Sequence, residues 1–167
     1  NVFKVSIDDF YKTRKDRKLL SKNKHPLLMT RGVPGTHDID LMLSFFKKIK
    51  DKNFKSLQIP TFNKAIDDRY SKNLWHKIKI KPDVVIFEGW CVGARPQLNS
   101  EIKKPVNSLE KVYDQGVKWR IHVNNQLKTK YKTLFNQLDG LLYLKAKNFD
   151  LLREWRLKQE RKLWAQT

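Results

Sequence analysis

Asp83-Val84-Val85-Ile86-Phe87-Glu88-Gly89-Trp90 sets four consecutive apolar residues, three of them β-branched, before a single acid and a glycine. An unbroken apolar run of this length predicts a strand buried on both faces of a parallel sheet. Working outward, Val2 to Ile7 reads as a second strand, ended by Asp8-Asp9, and Gly140 to Leu144 (GLLYL) as a third. Helical patterns lie between them. Ile39, Met42, Leu43, Phe46 and Ile49 fall at the spacing of one helix face. Thr36 or Asp38 caps its start, Asp38 and Asp40 suit the positive end of its dipole, and Lys47, Lys48 and Lys50 suit the negative end. Asn107 with Glu110 resembles a capping box before another helix. A longer helix is predicted over about 117–135, and a last one from near Asn148, carrying Leu151, Leu152, Trp155 and Leu163 among charges. Thr13 to Lys24 reads as a charged, apolar-poor loop, and Lys50 to Lys55 and Lys77 to Pro82 as short polar connectors. Strands alternating with helices predict an α/β layered fold with right-handed crossovers. The 167 residues fit one domain with a real core.

Lys and Arg number 36 against 17 Asp and Glu, a net charge of +19. Such an excess fits a nucleic-acid binder, an enzyme for anionic substrates, or compositional drift in a chain rich in Lys, Asn and Ile. The basic residues are spread along the whole chain and most are Lys, which favours a solvated surface over nucleic acid as the main partner. Cys91 is the single cysteine, so no internal disulfide forms, and no Cys/His cluster has zinc-like spacing. No apolar run approaches the roughly 20 residues that span a membrane. No signal peptide is present, and a reducing, cytoplasmic setting is expected. The chain opens at Asn1 in mid-strand and closes on Leu163 to Thr167 without a helix stop signal, so both ends are expected to be cut from a longer protein.

Three segments carry chemistry. In Ser6-Ile7-Asp8-Asp9-Phe10-Tyr11 an apolar strand ends in two acids, and ligands of open α/β sheets bind beyond the carboxyl ends of strands. A carboxylate there orients and deprotonates a substrate hydroxyl, or else merely caps a turn. Glu88, closing its strand, has the form of a Walker B acid that organises Mg²⁺ or its water shell beside phosphates, while Gly89 lets the backbone turn closely past a ligand. Adjacent strands would aim both acids at one cleft. In Arg31-Gly32-Val33-Pro34-Gly35-Thr36-His37-Asp38, Pro34-Gly35 marks a turn, Arg31 suits a carboxylate by a two-pronged hydrogen bond, and the following helix start suits an anion. His37 alone reads more often as a structural or surface histidine than as a site residue.

Taken together, SIDDFY, RGVPGTHD, IPTFNKAIDDR, VVIFEGW and EWRLKQE resemble, in order and over nearly the whole chain, the D-glycerate 3-kinase family of P-loop kinases, near the uridine kinase, phosphoribulokinase and pantothenate kinase branch. The resemblance implies a P-loop NTPase-like three-layer αβα fold with a mostly parallel sheet. It implies ATP-dependent phosphorylation of a hydroxyl on a small organic acid, most simply D-glycerate to 3-phosphoglycerate, with ATP and Mg²⁺ as cofactors. Asp8 matches the acid that acts as base or touches the metal, with Asp9 as second choice, and Glu88 matches the Walker B acid. Tyr11, Arg31, Thr36, His37, Asp38 and Lys64 fall on the acceptor side. Arg153, Arg156 and Arg161 lie where such kinases carry a basic lid over the nucleotide, or they pair along their own helix as Glu154 could with Lys158. The chain departs from the pattern twice. It contains no G-x-x-x-x-G-K-[ST], which in the family precedes the SIDDFY strand, so the first strand and Walker A loop are missing from these residues and they are not expected to bind ATP normally alone. Asn63 also stands where relatives often carry Asp. The alternatives are another acceptor on the same fold, such as a nucleoside or pantothenate, and a basic nucleic-acid-binding module. The five tryptophans are expected to be packing residues.

Overall fold

A computed structural model describes residues 1–165; Gln166, Thr167 and the side chain of Leu163 lie outside the described residues. The first two predicted strands form, β1 over Val2–Ser6 and, later, β6 over Val84–Glu88. They pair in parallel, with Val2 opposite Val84 and Ser6 opposite Glu88. The chain leaves β1 through a tight turn at Ile7–Phe10, started by Ser6, whose hydroxyl accepts from the Asp8 amide at 3.3 Å.

Thr13 to Lys24 holds a helix, α1 (Arg14–Asn23), where the sequence suggested a loop. Thr13 caps it, accepting from the Asp16 amide and donating to the Asp16 carboxylate. Its inward residue is Arg17, fully buried. The guanidinium donates to the carbonyls of Lys12, Met29 and Asp67 and pairs with the Asp67 carboxylate at 3.0 Å. A helix anchored by one saturated arginine has no apolar stripe for periodicity to find.

The predicted α2 runs Ile39–Lys50 and is capped by Asp38, not Thr36, through the Leu41 amide. It buries Ile39, Met42, Phe45, Phe46 and Ile49. Each such side chain contributes about 1.5–3 kcal/mol on burial. Phe46 meets Phe87 of β6 edge to face. Two antiparallel pairs follow that the sequence did not suggest: β2 (Leu57–Ile59) with β5 (His76–Ile78), and the hairpin of β3 (Phe62–Asn63) with β4 (Asp68–Arg69). Strand β5 takes up the start of the stretch read as a connector.

Short helices α3 (Asn99–Lys103) and α4 (Ser108–Tyr113) precede α5 (Lys118–Gln126), which continues through a π turn at Leu127–Tyr131 into α6 (Lys132–Phe135). This is the helix predicted over 117–135. Asn107 caps α4 through the Glu110 amide at 2.9 Å. Buried Asp114 and Arg120 pair at 2.9 Å and brace α4 against α5. The last helix, α7 (Phe149–Trp164), starts where Asn148 accepts from the Leu151 amide.

Two expectations fail together. β6 is not buried on both faces: Val84 and Ile86 are half exposed, while Val85 and Phe87 turn toward α2. Gly140 to Leu144 forms no strand, and Leu142 and Leu144 are over four-fifths exposed. A strand needs a ladder partner, and among the described residues none lies beside either the free edge of β6 or this segment. A groove of about 850 Å³ separates them. Among the described residues no helix is long and apolar enough to cross a membrane.

Candidate functional site

The register that sets Ser6 beside Glu88 brings the two strand-end acids to the same edge of the sheet. Gly89 is required there, because a Cβ on it would lie 2.1 Å from Ile7 Cγ2. The glycine thus admits the close approach of the β1 turn. Asp8 accepts from Lys64 Nζ at 2.9 Å, and Glu88 faces Lys4 at 3.8 Å. Asp9 accepts from the Phe62 amide at 3.2 Å. Burial is the main cause that raises the Asp9 carboxyl above its ordinary value. The Phe62 hydrogen bond opposes it, and the charges of Asp8 and Glu88 add to it. Three carboxylates therefore share one electrostatic neighbourhood. No group of three metal-ligating side chains forms a metal site by itself among the described residues. Asp8 and Glu88 are nevertheless hard oxygen donors of the kind Mg²⁺ takes singly or in pairs, completing its shell with water and phosphate.

The Arg31–Asp38 segment is laced to this edge. Lys12 donates to the Thr36 carbonyl at 2.9 Å, and Asp38 to the Phe10 carbonyl at 2.8 Å. Thr36 is fully buried; its hydroxyl accepts from the Gly32 amide and donates to the Val33 carbonyl. His37 is buried too, stacked on Tyr11 at 4.4 Å. Its Nδ1 lies 2.6 Å from the Tyr131 hydroxyl. That hydroxyl also accepts from the Gly35 amide, so Tyr131 ties Gly35 and His37 together. Among the described residues His37 Nε2 has no hydrogen-bond partner. Burial lowers the imidazole to about 4, so it is neutral at pH 7. Burial, then the neighbouring Asp8 carboxylate, raises the Tyr11 hydroxyl above its ordinary value. Gly35, at φ +106°, is packed under His122.

Arg31 does not point a free fork into a cleft. It pairs with Asp67 and lies over the Phe62 ring at 5.5 Å. Asp67 takes the left-handed conformation in the β3–β4 turn, which Asp tolerates. Burial acts to raise its carboxyl, and the guanidiniums of Arg31 and Arg17 more than offset this, holding it below the ordinary range. Asp38 Oδ2 accepts from Arg69 at 3.1 Å. Asn63 accepts from the Ala65 amide and donates to the Tyr70 hydroxyl, so it shapes the hairpin turn. Trp90 is two-thirds exposed beside Glu88 and donates to the Gly32 carbonyl at 3.1 Å.

Asp8, Asp9, Tyr11, Arg31, Asp38, Lys64 and Glu88 are therefore joined by direct contacts or shared charge, with Thr36 and His37 buried behind them. Arg153, Arg156 and Arg161 are exposed on α7. No hydrogen bond or ion pair among the described residues joins them to the strand ends, and Arg156 pairs with Glu160 at 2.5 Å along its own helix. Sequence reasoning missed Asp67, Arg17, Arg69 and Tyr131. The acid–acid–basic run Asp67-Asp68-Arg69 was the one visible signal. The expectation that tryptophans pack holds for Trp75 and Trp119, which are partly buried, and not for Trp90, Trp155 and Trp164, which are exposed.

No family model matches the chain. Curated relatives do. The chain is 32% identical over 99% of its length to the uncharacterized kinase mug58 of Schizosaccharomyces pombe, and 29% identical over 93% of its length to the chloroplastic D-glycerate 3-kinase of Arabidopsis thaliana. It spans 61% and 34% of those two proteins. Among solved structures, the D-glycerate 3-kinase of Cryptococcus neoformans superposes over 99% of the chain with a TM-score of 0.81 at 28% identity, 61% of that protein being covered. The YGR205w protein follows at a TM-score of 0.69 and 29% identity, over 98% of the chain and 57% of that protein. Over nearly its whole length the chain is therefore similar to D-glycerate 3-kinases and to kinases related to them, and it shares their P-loop kinase fold.

Proposed function

We propose that the protein carrying this chain is an ATP-dependent kinase that phosphorylates a hydroxyl of a small organic acid, D-glycerate to 3-phosphoglycerate, in a reducing, cytoplasmic setting. The observation that carries the reading is the gathering of Asp8, Asp9 and Glu88 at the ends of two adjacent parallel strands, facing Lys64. Kinase-named relatives support phosphoryl transfer, and two D-glycerate 3-kinases among them support the acceptor. Asp8 takes the proton of the acceptor hydroxyl as its oxygen bonds to the γ-phosphorus and ADP leaves. Asp9 is the less free of the two acids, since the Phe62 amide holds it. Mg²⁺, when bound through Glu88 and Asp8, would neutralise phosphate charge. Lys64 sits where it can pass from Asp8 to an anionic substrate. Arg31, once released from Asp67, would suit the substrate carboxylate. Arg153, Arg156 and Arg161 suit a lid that stabilises developing charge.

These residues include no G-x-x-x-x-G-K-[ST], so the assay belongs to the complete gene product. ADP release should rise with D-glycerate above other hydroxy acids and nucleosides. Equal or faster turnover of a nucleoside would overturn the glycerate assignment. Asp8→Asn should cut kcat by about 10²-fold or more. Unchanged turnover would move the base role to Asp9 or Glu88.

A further inference from the structure

A second cleft, of about 440 Å³, lies between α2 and the β2–β5 pair. Phe10 and Phe45, in edge-to-face contact and nearly without exposure, lie behind it, and Trp75 is the partly exposed aromatic ring in its lining. The Trp75 ring is fixed twice. Its Nε1 donates to the Tyr70 carbonyl at 2.8 Å, and the Arg69 guanidinium lies 5.9 Å from its centre. The rim carries Lys48, Lys72 and Lys77, and the cleft is lined by no carboxylate. Among the described residues no side-chain hydrogen bond or ion pair engages any of these three ammoniums, whereas Lys64, Lys130 and Lys4 each face an acid. None of the strand-end acids lines this cleft, and neither Arg31 nor Lys64 does.

We infer that this cleft is a binding site for a small organic anion, an aromatic ring bearing a phosphate: the fixed, partly exposed Trp75 ring stacks on the ligand ring, and the three ammoniums of Lys48, Lys72 and Lys77 take the dianion. The volume lies within the range of small-ligand clefts. A lysine ammonium is a compact point charge that suits phosphate without demanding a fixed fork geometry. Like charges gathered without an acid between them repel, and a dianion relieves that repulsion. The site is separate from the proposed catalytic edge and does not depend on the kinase reading. Phe10 follows Asp8 and Asp9 directly, so it links the two.

Pyridoxal 5′-phosphate is a suitable probe. Its aldehyde condenses with a lysine amine to an imine with loss of water, and borohydride reduces the imine to a stable secondary amine that peptide mapping locates. At limiting probe, label on Lys48, Lys72 and Lys77 together should exceed that on other exposed lysines by about tenfold, as one charge-assisted contact warrants. Pyridoxine 5′-phosphate, which lacks the aldehyde, should protect these lysines, and pyridoxine, which lacks the phosphate, should not. The triple variant Lys48→Gln/Lys72→Gln/Lys77→Gln should lose binding of pyridoxine 5′-phosphate in equilibrium dialysis while keeping the wild-type urea midpoint. Label spread evenly over exposed lysines, label gathered on Lys64, equal protection by pyridoxine, or undiminished dialysis binding by the triple variant would each overturn the site.

Discussion

The β1–β6 edge and the β3–β4 hairpin meet at the same place and are held by different forces. Behind the strand ends lie Val5, Ile7 and Phe10, nearly without exposure, against Met42 and Phe46 of α2. The hairpin spans only two residues per strand. Although Phe62 tucks inward, its turn and ends are fixed by Lys64 on Asp8, by Asp67 between Arg17 and Arg31, and by Arg69 on Asp38. Burial is non-directional and places the acids of one strand end firmly beside the other. Ion pairs at a partly exposed surface are worth less and are exchangeable. The acids thus stand on the rigid side of the site, while Lys64 on Asp8 and Arg31 on Asp67 are held by partly exposed ion pairs.

The most damaging test strikes the buried side. Ile7→Ala removes a fully buried side chain under Gly89 and should cost about 2–5 kcal/mol in urea unfolding. A loss below 1 kcal/mol would mean that packing does not set the strand ends. Arg17→Ala is next. It strands three carbonyls and exposes one side of Asp67, for about 2–3 kcal/mol, on the scale of charge-assisted hydrogen bonds. Amide exchange should speed first in 62–69 rather than in β1; faster exchange in β1 would break the distinction between the two regions.

Acid should sharpen it. His37 is held neutral in the fold, at about 4 against about 6.5 unfolded. The unfolded chain binds the proton first, so the stability His37 confers is full above pH 6.5 and is lost as pH falls toward 4. The loss should reach about 2 kcal/mol at pH 5. His37→Phe should flatten the difference in urea midpoint between pH 7 and pH 5; an unchanged difference would refute the neutral imidazole. Asp67 has the same sign at lower pH: its carboxyl is held below the ordinary range, so the stability of its pairs is full above that range and is lost as pH falls through it and below. The hairpin pairs should therefore outlast the His37 packing as pH falls. The smallest effect belongs to Lys64→Gln, about 0.2–1 kcal/mol in stability, since both partners are partly exposed. A larger loss would make the Lys64–Asp8 pair a structural anchor rather than an exchangeable contact.

Much of this was legible in the residues. Apolar runs ending in acids placed β1, β6, Asp8 and Glu88, and spacing placed α2 and the helix over 118–135. The misreadings share one cause. α1 hides behind a buried arginine, which looks like surface charge until its three carbonyl partners are known. GLLYL looks like a strand because apolarity is local, whereas pairing needs a neighbour. Arg31 looked like a free carboxylate fork because Asp67, 36 residues away, gives no local sign of approaching it.

By itself, then, the order of residues determined β1, β6, α2 and the helix over 118–135, the acids that end the two strands, and which family of enzymes they resemble, because periodicity and strand-end chemistry are local properties. Only the tertiary structure decided which charges are already paired, which histidine is buried and neutral, and that Lys48, Lys72 and Lys77 border one cleft without an acid. Those outcomes depend on distances between residues far apart in the chain, and Coulomb energy and desolvation are set by such distances rather than by sequence spacing.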